Sequence, residues 1–236
     1  MKKETVLTLF FILLATADLY AQRSGSSLFK DPVYLPERFY TTFSNDLPIY
    51  NGRLYQGYLP TITGTPFMDD DQWMEGTVFF DSTWYKNTRL KYDVVAGELV
   101  IENPNKMPVI LPGSPLYAFT LGQERFIKLG PGNSTVLPAG FYEILDEGAL
   151  TVLALRKKII RETTGQSTVE REFTWNNRFY IYRDKVFYPV SSKKNLYALI
   201  KEKRSAIHKA LKRKKARFRK DPEATIRMAV QLYNQD

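Results

Sequence analysis

The chain of 236 residues contains no cysteine and a single histidine, His208. The first absence excludes disulfides, thiol nucleophiles, Cys-ligated zinc and iron–sulfur clusters. It also leaves no residue for the lipid anchor that a bacterial lipoprotein carries at its cleavage site. The second absence removes the two or three imidazoles of an ordinary zinc hydrolase. A Ser–His–Asp device would need His208 itself, and no Gly-x-Ser-x-Gly elbow accompanies it. His208 lies inside a basic helical pattern and reads as a helix-surface group. No internal repeat marks a propeller or solenoid. No cofactor is predicted: the Gly-rich "KLGPGN" lacks the Lys-Ser/Thr pair of a phosphate-binding loop and reads as a turn. Its extension "LGPGNST" holds the one obvious glycosylation triplet, at Asn133.

Long apolar runs are also missing, apart from one at the start. "MKKETVLTLFFILLATADLYAQ" has Lys2 and Lys3, an apolar stretch from Val6 to Ala17, and then Leu19-Tyr20-Ala21. That order is the charged, apolar and cleavage region of a secretory signal. The apolar part is shorter than the roughly 20 residues of a membrane helix. The pattern predicts a signal peptide over 1–21 and a mature chain that begins at Gln22 and has no transmembrane span. Export places it in the periplasm, at the outer membrane or outside the cell. "RSGSSLFKDP" follows as a flexible lead-in over 22–31.

From Gly52 onward, short segments rich in β-branched and aromatic residues alternate with turn signals. "GRLYQGYL", "GTVFF", "RLKYDVV", "GELVIEN", "MPVIL", "LYAFTL" and "RFIKL" come first. "FYEILDEGALTVLALRKKII" reads as a hairpin turning at Asp146-Glu147-Gly148, and "RFYIYR" and "VFYPV" join at Asp184-Lys185. Strands in succession with no helices between them argue for antiparallel sheet. The expected fold is mainly β, an antiparallel sandwich, roll or open barrel of about a dozen short strands over 32–191. Tyr and Phe number fifteen each, and most fall in these strands. They are expected to fill sheet faces and cross-strand pairs. An aromatic platform for a glycan or peptide would need several exposed together.

After Ser191-Ser192 the period changes. Leu196, Leu199, Ile200, Ile207, Ala210 and Leu211 recur at helical spacing. Ser192 reads as an N-cap, and "KEKRSA" divides the pattern into two short helices. Asp221, Pro222 and Glu223 begin a last helix, with Ile226, Val230 and Tyr233 on one face. Residues 192–236 therefore form a small C-terminal α-helical module packed on the β domain. Positions 193–236 carry fourteen Lys or Arg against four Asp or Glu, while 22–192 carry eighteen against nineteen. The net charge of +9 thus resides in the last segment. Its densest part is "HKALKRKKARFRKDPEAT". Lys212, Arg213, Lys214, Lys215 and Arg217 are the candidates for contact with anionic lipid or anionic envelope polymer. The alternative is a solvated helix face. Nucleic acid is not an expected partner: export removes most of it from reach, and no zinc finger, RNP motif or helix-turn-helix spacing is present.

"FMDDDQWMEG" is the one acidic cluster. Asp69, Asp71 and Glu75 are candidate oxygen ligands for Ca²⁺. The run lacks the alternating spacing of a calcium loop, so it reads as a solvated turn and no metal is expected. Paired strand-borne carboxylates would suit a hydrolase of envelope polysaccharide, but no local motif nominates such a pair.

The order of "WMEGTVFFDSTWYKNTRLKYDVVAGELVIEN", "FYEILDEGALTVLALRKKII", "FYPVSSKKNLYALI" and the terminal "VQLYNQD" resembles a family of exported, β-rich proteins of unknown function from Gram-negative cell envelopes. The resemblance implies an envelope location and a non-enzymatic role, and it carries no functional residues with it. The leading expectation is a non-catalytic exported envelope protein that binds or scaffolds an envelope protein or anionic polymer. The polysaccharide hydrolase and the binder of anionic surfaces remain the alternatives. Mass spectrometry of the protein from its native host is expected to find an N-terminus at Gln22 or within about two residues of it. An intact Met1 on cytoplasmic protein would overturn export.

Overall fold

The structure, a computed structural model, describes residues 47–165 and 169–235. The predicted signal segment, the lead-in and positions 32–46 of the predicted β domain lie outside the described residues. The strands are β1 (Arg53–Leu54), β2 (Ile62–Thr63), β3 (Met74–Phe80), β4 (Thr83–Asp93), β5 (Glu98–Glu102), β6 (Pro108–Ile110) and β7 (Leu116–Leu121). Then follow β8 (Glu124–Leu129), β9 (Gly140–Asp146), β10 (Thr151–Leu155), β11 (Lys158–Thr164), β12 (Val169–Trp175), β13 (Arg178–Arg183) and β14 (Val186–Pro189). Eleven of them form one antiparallel sheet in the order β1-β6-β5-β4-β3-β7-β8-β9-β10-β13-β14. Among the described residues its edge strands β1 and β14 do not pair with each other. A second sheet, β11-β12-β2, is made by the hairpin between β10 and β13 together with β2, which runs parallel to β12.

Turn chemistry explains the long antiparallel run. Asp81-Ser82 and Asp184-Lys185 both have positive φ, and each joins two strands by two residues. That is the backbone whose twist matches an antiparallel pair. At the β4–β5 turn, Asp93 Oδ1 accepts the N–H groups of Val95 and Ala96 at 2.9 Å each. Two expected segments differ from the sequence reading. "GRLYQGYL" keeps only two strand residues, because β1 lies at the sheet edge and pairs with β6 alone. "RKKII" does not continue the β9–β10 hairpin, since the chain leaves the large sheet after Leu155 and enters the small one at Lys158.

The aromatic residues of the central strands are buried together. Phe119 and Phe126 stack at 4.6 Å, and Tyr92 and Phe141 meet Phe119 edge-on. Here the expected filling of the sheet face holds. β10 differs from its neighbours: "TVLAL" is buried at every position. A strand buried on both faces reads as a continuous apolar run rather than an alternating one, and the second face of β10 is covered by helix.

The helices are α1 (Lys193–Leu199), α2 (Arg204–Arg213) and α3 (Pro222–Asn234), with a 3-10 turn at Lys201–Lys203. The two expected caps are present: Ser192 accepts from the Asn195 N–H, and Asp221 from the Ala224 N–H. α3 lies against β9 and β10, and α2 packs on α3. Ile226, Ala229 and Val230 of α3 share one core with Val152 and Ala154 of β10, Ile181 of β13 and Ile207 and Leu211 of α2. None of the described helices is long and apolar enough to cross a membrane.

Both ends of α3 are fixed to the sheet by polar contacts. At its start, Glu223 takes a bidentate pair of hydrogen bonds from Arg156, at 2.5 and 2.9 Å. Arg156 follows β10, is 8% exposed, and donates its Nε–H to the buried Glu143 of β9. At its end, Asn234 accepts from the Leu150 N–H at 3.0 Å and donates to the Leu150 carbonyl at 2.9 Å. Gly148 leaves room for this contact: a Cβ at that position would come within 2.5 Å of the Asn234 amide and push it aside. The spans match. From Glu223 to Asn234 a helix rises roughly 17 Å, and from Leu150 to Arg156 a strand extends roughly 20 Å. Arg156→Ala leaves Glu143 buried without its cation and is expected to destabilise the fold by about 3–5 kcal/mol. Urea unfolding followed by circular dichroism checks this. A loss below about 1 kcal/mol, the range of exposed pairs, would show that the clamp is not structural.

Candidate functional site

The helices enclose a cleft of about 760 Å³ between the start of α1, the C-terminal half of α2 and the loop that follows it. Lys193 and Lys194 come from α1, Lys212 from α2, and Lys215, Arg217 and Arg219 from the loop. All six are exposed. Among the described residues none of them has a carboxylate partner, and no carboxylate lines the cleft. The electrostatic result is a concave surface of one sign, which focuses positive potential inward.

The loop geometry has a defined cause. α2 ends with the Ala216 N–H bonded to the Leu211 carbonyl and the Lys215 N–H bonded to the Lys212 carbonyl. These are the two bonds of a Schellman cap. The residue after such a cap adopts the left-handed conformation and is usually Gly. Here it is Lys215, at φ 54°. A side chain in that conformation costs about 1–2 kcal/mol relative to the right-handed region. Lys106 and Lys185 adopt the same conformation elsewhere in the chain, at φ 63° and 64°.

Buried Tyr197 and exposed His208 also line the cleft. The Tyr197 hydroxyl and His208 Nδ1 are 2.9 Å apart, and the two rings meet edge-on. When the hydroxyl donates, the ring proton sits on Nε2 and the imidazole presents a second donor. Tyr197 is itself buried, with Lys193 and Arg204 placed 5.2 and 5.3 Å from its ring centroid.

Of the five cations singled out in the sequence, Lys212, Lys215 and Arg217 line this cleft, and Arg213 and Lys214 do not. Each step along α2 turns the side chain by about 100°, which carries Arg213 away from the face that Lys212 presents to the cleft. Lys193, Lys194 and Arg219 were not among the sequence candidates. The "SSKK" at the head of α1 was the available signal, but only the packing of α1 near α2 gives it meaning.

The acidic candidates are not gathered into a metal site. Asp71 is engaged by Lys91 through both its carboxylate and its carbonyl, Asp70 caps the Gln72 N–H, and Glu75 lies opposite Arg89 in the β3–β4 register. Among the described residues no group of three or more His, Asp or Glu side chains is placed to hold a metal ion. Asn133 is exposed, and its side chain accepts from the Gly130 N–H inside its own turn.

The sheet does bring carboxylates together, around Arg156. Burial lowers the pKa of that guanidinium, but the hydrogen bonds it donates to Glu223 and Glu143 and the charges of those carboxylates more than reverse the effect and leave it raised. Glu223 has both carboxylate oxygens on Arg156. Nearby Glu124, at the start of β8, has one buried oxygen without a hydrogen-bond partner. Burial, then the charges of Asp69 and Glu143, push its pKa up to about 7, against the opposing pull of Arg156.

A further cleft of about 520 Å³ is walled by aromatic rings, among them Tyr55, Tyr58, Trp73 and Phe173. Here several aromatics share a surface instead of filling the core. Buried Asp93 accepts the Tyr55 hydroxyl at 3.0 Å and the Tyr58 hydroxyl at 3.4 Å. Burial and the Asp93 charge raise both phenol pKa values. These hydroxyls are therefore held as donors to the fold.

No family model, curated protein or solved structure matches the chain.

The raised pKa of Glu124 fixes a sign. Between its ordinary value near 4.3 and about 7, the folded state binds more protons than the unfolded one. Stability therefore falls as pH rises through that window. Glu124→Gln is expected to flatten this part of the pH–stability curve and to raise the melting temperature above pH 7. Parallel melts of the two proteins from acidic to mildly alkaline pH check it. Identical slopes would show that Glu124 titrates at its ordinary value.

Proposed function

We propose that the protein is a non-catalytic, exported cell-envelope protein that holds an anionic partner in the cleft between α1, α2 and the loop after α2. The observation that carries this reading is the set of six cations lining one concavity with no carboxylate among them. Exposed Lys and Arg on an ordinary solvated face are interspersed with acids, and elsewhere in this chain they are: Arg53 pairs with Glu98, Arg125 with Glu147 and Arg171 with Glu162. The signal-like leader and the sequence resemblance support the envelope location. Phosphate, sulfate and carboxylate groups on an envelope polymer all fit the charge of the cleft.

The structure separates cleft cations from bystanders, and that separation is the test. Binding of the mature protein to dextran sulfate is measured at low and at physiological salt. Each cleft cation is expected to contribute on the order of fivefold at low salt. Lys212→Gln with Lys215→Gln should thus weaken binding far more than Arg213→Gln with Lys214→Gln. Added salt should weaken the wild type in parallel, because the Debye length shortens to about 8 Å. Equal losses for the two sets would mean a diffuse charged face and no site. Lys215→Gly carries a second readout. It should weaken binding while leaving stability unchanged or raising it by up to about 1 kcal/mol, since Gly adopts the left-handed conformation freely.

A further inference from the structure

We infer that the cationic cleft is one end of a continuous trough, and that its ligand is a linear polyanion, not a compact anion or a bilayer. This rests on the anion-binding reading above. A second cleft, of about 960 Å³, runs between α1 and the N-terminal half of α2. Lys193, Lys194, Tyr197 and His208 line both clefts. The second adds Lys201 and Arg204. The one carboxylate among its described lining residues, Glu202, is paired with Arg183 at 3.2 Å. The cationic lining therefore continues from Arg204 at one end of α2 to Lys215 and Arg217 beyond the other.

The length decides the ligand class. The ten residues of α2 rise roughly 15 Å, about twice the Debye length of about 8 Å at physiological ionic strength. A compact anion bound at either end is screened from the cations at the other. Only a ligand with charges spaced along its own length engages both ends. A flat bilayer would meet the rims of two recesses and leave their floors empty. Single-stranded nucleic acid gains affinity by stacking bases on exposed aromatic rings; of the two rings that line both clefts, Tyr197 is buried and flanked by Lys193 and Arg204, and the small His208 imidazole alone is exposed. The chemistry favoured is a polymer whose recognition lies in its backbone charge, such as a phosphate- or sulfate-bearing chain.

The probes are tripolyphosphate, long-chain polyphosphate, phosphatidylglycerol vesicles and oligothymidylate, compared at matched charge concentration. Long-chain polyphosphate should bind the wild type about a hundredfold more tightly than tripolyphosphate, the lower end of ordinary linkage gains. Lys201→Gln with Arg204→Gln should reduce the salt slope for the long chain by about 1.4, or about 0.7 for each charge on a single-stranded polyanion, and that for tripolyphosphate by less. Ser205→Trp, on the exposed wall of the second cleft, blocks the trough without changing charge and should bring the long chain down towards tripolyphosphate. It serves if the double variant fails to fold. Equal affinity for the short and long chains would overturn the trough and leave the anion-binding cleft standing. Vesicles or oligothymidylate binding more tightly than long-chain polyphosphate would overturn it in favour of a bilayer or a nucleic acid. No binding of any probe would overturn the trough and the anion-binding reading together.

Discussion

The attachment of α3 to β10 is the contact on which the rest of the helical module depends. Arg156 and Leu150 mark the two ends of one strand, and Glu223 and Asn234 mark the two ends of one helix. Between these polar ends lies apolar contact: Ile226, Ala229 and Val230 are fully buried with Val152 and Ala154. The apolar part supplies the driving force, roughly in proportion to the area removed from water. The polar ends supply register, because a guanidinium fork and a carboxamide accept few geometries. A helix held only by its apolar stripe could slide by one turn along the strand. With Glu223 and Asn234 fixed, it cannot.

Everything cationic is then built on that platform. α2 rests on α3 through Ile207 and Leu211, which join the same core, and α1 joins it through Leu196 and Ile200. Arg183 of β13 donates to the Leu199 carbonyl at 2.7 Å, tying the end of α1 back to the sheet. Three short helices thus turn their apolar sides inward and leave their charges outward. The unusual feature is the shape of the outward side. Positive charges placed on a convex surface diverge, while these converge on shared recesses. Concentrating like charge in this way costs stability through mutual repulsion. The strained Lys215 adds to that cost. Both fall on the same surface.

The opposite end of the large sheet carries a different chemistry. Tyr55, Tyr58, Trp73 and Phe173 meet near the small sheet, with Lys91 placed 4.7 Å from the Trp73 ring centroid. The Tyr55 and Tyr58 hydroxyls are committed to Asp93, so those two rings are positioned by the fold. The contrast between an aromatic cleft at one end and a cationic one at the other follows from the topology. β1, β6 and β5 lie at the first end, and β10, β13 and β14 at the last, where the C-terminal helices dock.

By itself the sequence determined what depends on neighbours along the chain. Strand succession, the Asp184-Lys185 turn and the caps at Ser192 and Asp221 are local effects of backbone sterics and short hydrogen bonds, and they were legible from residue type and spacing. The charge asymmetry was legible as well, because charge is a sum over composition. The tertiary structure alone decided which cations converge. Lys193 and Lys212 are nineteen positions apart and meet only because α1 and α2 fold back on α3. Arg213 and Lys214 sit beside Lys212 in sequence and leave the cleft because a helix turns them away. Arg156, Glu143 and Glu223 carry no local signal of their partnership, since each comes from a different element. Periodicity records which face of an element is apolar. It does not record which other element that face will meet, and that pairing places the charges.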